Sequence, residues 1–169
     1  VSEIEERSAT PQEGLRAIAR ALGKLGLLGL VGKAEDGGTL ETISSRAICL
    51  ARERFGEISP LADLAFAMQG LGSYAISAGG DAEQRRAWMP QILQGDAVAA
   101  YALTEPGAGT DLGAMSTRAE RDGDHYVITG DKTFITNADC ADVFTLFAVT
   151  DPEASRGRVS AFIVPAGTE

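Results

Sequence analysis

Two short runs carry residue types that could hold a ligand. Tyr101–Asp111 reads Tyr-Ala-Leu-Thr-Glu-Pro-Gly-Ala-Gly-Thr-Asp, and Lys132–Asn137 reads Lys-Thr-Phe-Ile-Thr-Asn. Val98–Leu103 is an apolar run long enough for a buried strand, and Pro106 ends its ladder by removing a backbone donor. Gly107 and Gly109 permit positive φ and leave no side chain in a ligand's way. Successive amides in such a loop can point inward as an anion-binding nest. Thr104 and Thr110 add hydroxyls that both donate and accept. That chemistry suits a polar, flat or phosphorylated ligand. A plain strand-to-loop turn uses the same Pro-Gly and Gly-x-Gly pairs, so the loop alone leaves both readings open. Two phosphate-binding patterns are excluded. No Lys follows the glycines, as a nucleotide-hydrolase loop requires, and no third Gly opens a helix, as the dinucleotide fingerprint requires.

Glu105 has the residue type of a general base. The same carboxylate can instead accept loop amides as a structural group, and that reading is favoured. His125 is the only histidine, so a metal site or a Ser–His arrangement has little to build on. No catalytic and no metal-ligating residue is assigned.

The elements that must position these runs change character at Tyr101. Before it the pattern is helical. A charged, frayed opening, Val1–Arg7, precedes a helix from Pro11 to about Leu30, with Leu15, Ile18, Leu22 and Leu25 on one face. A loop at 32–38 leads to a second helix from Gly38 or Thr39, striped by Ile43, Ala47, Ile48, Ala51 and Phe55. Pro60 opens a third helix, Leu61–Ala78. Its small residues Ala67, Gly70 and Gly72 predict tight packing against another backbone. Asp81 and Gln84 form a capping box for a fourth helix, which Pro90 should bend or break before Gln94. Trp88, Met89 and Cys49 read as core. After Asp111 the period becomes two. Strands are expected at Met115–Arg121, His125–Thr129, Lys132–Thr136, Val143–Thr150 and Arg158–Val164, with a hairpin turn at Gly130-Asp131 and a solvated loop at Asp151–Gly157. The layout is α+β: a helical bundle over 1–97, then an antiparallel, barrel-like β domain over 98–169.

Composition narrows the function. The 169 residues suffice for one ordinary domain or two small ones. A net charge of −9 argues against nucleic acid and against an anionic membrane surface. No apolar run approaches membrane-spanning length, and no signal peptide opens the chain. Two cysteines make no disulfide framework, which fits a reducing compartment.

Both runs resemble the two signatures of the acyl-CoA dehydrogenase family, in the family's order and at its spacing. Ser-Ala-Phe-Ile-Val-Pro at 160–165 is similar to a third family segment. The resemblance implies an FAD-dependent α,β-dehydrogenation of an acyl-CoA thioester, with a hydride passing to flavin N5. It implies that Tyr101, Leu103 and Thr104 meet the flavin through backbone and hydroxyl contacts, with Gly109 in the same loop. Thr110 stands where the family usually has Ser and would contact both FAD and the CoA part of the substrate. Phe134 stands where many members have Trp against the flavin ring, and so lacks the indole donor. Thr136 would bond near flavin N5, with Ile135 supplying backbone. Ala67, Met68 and Gly72 lie where the family lines its acyl pocket. The family's catalytic glutamate belongs to a C-terminal helical domain, and this sequence is expected to stop before that domain. Val1 in place of an initiator Met also suggests a piece of a longer chain. Implied partners are acyl-CoA, an electron-transferring flavoprotein and further copies in a dimer or tetramer. The implied location is the bacterial cytoplasm, ahead of a mitochondrial matrix. The competing readings are an acyl-CoA oxidase, a carrier-protein-linked dehydrogenase, a flavin monooxygenase, or a non-catalytic partner subunit.

Overall fold

The computed structural model describes residues 2–154 and 156–168; Val1, Ser155 of the expected 151–157 loop, and Glu169 lie outside them. Five helices come first: α1 (Ser2–Arg7), α2 (Pro11–Lys24), α3 (Ser45–Ile58), α4 (Pro60–Gly79) and α5 (Ala82–Leu93). Five strands follow: β1 (Ala99–Ala102), β2 (Arg118–Asp122), β3 (His125–Thr129), β4 (Val143–Val149) and β5 (Val159–Pro165). The expected helix-then-strand order is present.

Side-chain caps set several helix starts. The Thr10 hydroxyl accepts from the Glu13 amide ahead of Pro11, and Ser59 accepts from Leu61 and Ala62 ahead of Pro60. Asp81 and Gln84 make the full capping box, satisfying amides that a helix start leaves orphaned. Five boundaries or placements differ from expectation. Residues 2–7 form a helix rather than a frayed opening, and Ile4 packs partly against the core. The first long helix ends at Lys24, because Gly26 takes φ 72 and a short 3-10 turn, Leu27–Val31, replaces its last part. α3 starts only after Ser44, which caps the Ala47 amide, so Ile43 lies outside it. Its Cys49 is exposed rather than core, since no residue of α3 is fully buried. Pro90 does not break α5, which continues to Leu93.

One core joins the helices to the sheet. Ile18 and Leu22 of α2, Phe66 and Ile76 of α4, and Met89 and Ile92 of α5 meet Val98, Ala99 and Val143. Gly72 is where α4 presses on β1: a Cβ there would come within 2.7 Å of the Ala99 Cβ. The small-residue stretch is therefore a packing device, as expected. Beside it the Gln69 amide donates to the carbonyls of Ile92 (3.0 Å) and Ala97 (2.8 Å) and accepts from the Ala99 amide (2.9 Å).

The sheet is mixed and open, where an antiparallel, barrel-like one was expected. β4 pairs in parallel with β1, from Ala99↔Val143 to Ala102↔Leu146, and in parallel with β2 at Arg118↔Val149. β5 runs antiparallel along the whole of β4, and β2 pairs antiparallel with β3. Since β5 occupies one edge of β4, β1 and β2 share the other. The long excursion from β3 to β4 makes the parallel pairing possible, because parallel neighbours need a crossover.

Candidate functional site

That excursion contains the second run, and it is not a strand. Lys132–Thr136 does not pair back on β3 as a hairpin. Gly130 takes φ 153 with its Cα packed against Thr117, where a Cβ would sit 2.4 Å from Oγ1. The chain therefore leaves β3 and crosses to the end of β1. There the Thr133 amide donates to the Thr104 carbonyl at 2.9 Å. The Lys132 ammonium donates to the Leu103 carbonyl at 3.0 Å and to Glu105 Oε1 at 2.8 Å. Further along, the side-chain amide of the buried Asn137 donates to the Ala99 carbonyl at 3.3 Å. The second run thus lies beside the first, pinned at both ends.

Glu105 is the knot. It is buried, and accepts from the Ser116 amide and hydroxyl (both 2.7 Å), the Thr117 amide (3.0 Å) and Lys132. Burial opposes its ionisation, but these donors outweigh it and hold the carboxyl well below the usual carboxylate range. Such a carboxylate is a structural acceptor with no free oxygen to take a proton, as favoured from the sequence.

The Pro-Gly turn is tight. The Glu105 and Ala108 amides each donate to the other's carbonyl, at 2.9 and 3.2 Å. These two amides face each other and not a ligand, so the expected nest does not form around them. Neither Gly107 nor Gly109 takes positive φ; a Cβ at either would meet nothing within 4 Å, which leaves this rim open.

The candidate residues fall into two groups. Tyr101 and Leu103 are half-buried, with the Tyr101 ring 4.9 Å from that of Phe147, and burial raises the phenol's pKa. Leu103 packs on the small cluster of Ala108, Met115 and Val149. Thr104 and Ile135 are half-buried, while Gly109, Thr110, Phe134 and Thr136 are exposed. Phe134 is 91% exposed and holds φ 54, a region bulky residues rarely enter. Among the described residues, the backbone amides of Thr104, Ile135 and Thr136 donate to nothing. The two runs therefore carry free amide donors, hydroxyls and one bare aromatic ring close in the chain to a buried ion pair. A planar polar ring with acceptors on its edge fits that donor set. Lys132, Ser116, Thr117 and Asn137 were missed as contributors. The one signal for Lys132 was a long cation next to a strand-like run with no acidic neighbour but Asp131.

Comparison with known proteins specifies the class of this α-then-β frame. Residues 1–96 match the acyl-CoA dehydrogenase N-terminal domain and residues 100–169 match the acyl-CoA dehydrogenase middle domain. The chain belongs to the acyl-CoA dehydrogenase family. It is 35% identical over 167 residues to the short-chain-specific acyl-CoA dehydrogenase of Clostridium acetobutylicum, covering 98% of this chain and 42% of that protein. The crystal structure of acyl-CoA dehydrogenase from Geobacillus kaustophilus superposes with a TM-score of 0.81 at 30% identity, over 99% of this chain and 43% of that one. That of an acyl-CoA dehydrogenase complexed with FAD from Bacillus anthracis gives 0.79 at 35% identity, over 97% and 27%. The chain thus spans less than half the length of these relatives. Among its described residues no helix is long and apolar enough to cross a membrane, and no cluster of His, Cys, Asp and Glu could hold a metal ion.

Proposed function

We propose that this chain is the flavin- and thioester-binding part of an FAD-dependent acyl-CoA dehydrogenase. One observation carries the reading: the two runs are bonded side by side, and the Thr104, Ile135 and Thr136 amides within them have no acceptor. When bound, FAD supplies the hydride acceptor for α,β-dehydrogenation of the acyl-CoA. The chain's own share is orientation. Thr104 and Thr136, with the Ile135 backbone, would hold the ring edge, and Phe134 would cover its face. Tyr101 and Leu103 support that edge from the strand. Gly109 leaves the approach open, and Thr110 would contact both FAD and the CoA part of the substrate. Glu105 takes no part as a base, since its oxygens are already engaged. By the same reading the helical part ends near residue 97, the full assembly is a homo-oligomer, and electrons leave to an electron-transferring flavoprotein. An oxidase of the same family is the alternative, and oxygen consumption separates the two.

The test is a titration of the purified chain with FAD, following quenching of flavin fluorescence, and then anaerobic addition of acyl-CoAs of several lengths. Saturable quenching without bleaching of the flavin is expected. Absence of saturable binding refutes the reading. Bleaching with enoyl-CoA formation would show that a base exists within these residues.

A further inference from the structure

We propose that Lys132, through its ion pair with Glu105, is a positioning residue for the flavin rim. This rests on the flavin reading above. The Phe134–Thr136 segment is a bow between two pins. At one end Lys132 and Thr133 grip consecutive carbonyls, Leu103 and Thr104. At the other end the Asn137 side-chain amide donates to the Ala99 carbonyl. Phe134 (φ 54) and Asn137 (φ 70) are the only non-glycine residues with positive φ among those described. Such conformations persist only where surrounding contacts over-determine them, and they cluster at ligand clamps.

Lys132 is the pin with no backbone substitute. Its side chain is 10% exposed and that of Glu105 only 1%. Glu105 in turn is fastened to Ser116 and Thr117, just before β2. Three segments distant in sequence therefore meet at one ammonium–carboxylate contact. Without it the Leu103 carbonyl loses its donor, and the free amides of Thr104 and Ile135 lose their fixed spacing. A planar ligand that bonds to both runs at once depends on that spacing, because orientation is bought before binding rather than during it.

The experiment compares FAD affinity with folding stability in four chains: wild type, Lys132→Met, the charge-neutral double variant Glu105→Gln with Lys132→Met, and Leu22→Ala, a core variant far from the rim. The double variant avoids an unpaired buried carboxylate and keeps the fold testable if Lys132→Met fails to fold. Its FAD affinity is expected to fall about ten- to a hundredfold, the value of a hydrogen bond to a charged group, with faster hydrogen exchange at the Thr133 amide. Leu22→Ala, measured where it is folded, is expected to bind FAD as wild type does. Wild-type affinity in the double variant overturns the proposal and leaves the flavin reading standing. An equal loss in Leu22→Ala also overturns it, since affinity would then follow stability alone. No saturable binding by wild type overturns the flavin reading, and this inference with it.

Discussion

Two of the buried polar knots in this molecule, at Gln69 and Glu105, differ in charge. The Gln69 knot sits between α4, the end of α5 and β1, and it is neutral: one amide meets two carbonyls and one N–H. The Glu105 knot sits between β1, the β2 approach and the crossover, and it is an ion pair with three further donors. A neutral amide satisfies buried backbone groups at little desolvation cost and is indifferent to pH. A buried ion pair costs more to desolvate and gives little net stability over an apolar alternative. What it adds is a fixed geometry. The neutral knot lies where helices and sheet only need to stay packed, and the charged one lies beside the candidate flavin rim.

The largest effect is expected from breaking the neutral knot. Gln69→Leu keeps volume but leaves the Ile92 and Ala97 carbonyls and the Ala99 amide without their partner, at about 1–3 kcal/mol for each group left unsatisfied. Urea denaturation should show this as a large fall in midpoint with FAD affinity of the folded fraction unchanged. Lys132→Met comes next. Removing one member of a buried pair costs about 3–5 kcal/mol, and here the same denaturation curve should fall together with FAD affinity.

The pH dependence sharpens the contrast. Glu105 has its folded pKa depressed below the ordinary 4.5. Its contribution is therefore fully present above about that value and is lost as the pH falls below it towards the folded pKa. Stability measured between neutral pH and pH 3 should fall less steeply in Glu105→Gln than in wild type. Gln69→Leu should keep the wild-type slope, and a matching change of slope there would contradict the assignment of charge to one knot only. The smallest effect is expected at the exposed rim. Thr110→Val should leave the melting temperature unchanged and weaken FAD or acyl-CoA binding by about 0.5–1.5 kcal/mol, one ordinary hydrogen bond. Unchanged affinity for both ligands removes Thr110 from the site.

Local signals in the chain determined most of the elements. Pro11, Pro60 and the Asp81–Gln84 box start helices because they satisfy or omit orphaned amides within one turn. The apolar run Val143–Val149 is a strand with Val143, Thr145, Ala148 and Val149 buried, whereas the alternating run His125–Thr129 is a strand by its pairing with β2 and has no buried residue. The two loop motifs were legible as residue types, and the structure bonds one to the other. What only the tertiary structure decided is where partners come from. Lys132–Thr136 has the pattern of a returning hairpin strand, yet Gly130 against Thr117 and the pull of Glu105 on Lys132 send it to β1 instead. Cys49 has the spacing of a core residue, yet α3 packs by one side only and leaves it exposed. β1 and β2 share one edge of β4 in parallel, which no local pattern encodes. The physical reason is range: caps and periodicity act over one or two turns of chain, whereas the Glu105–Lys132 contact joins groups 27 positions apart and exists only once the sheet has brought them together.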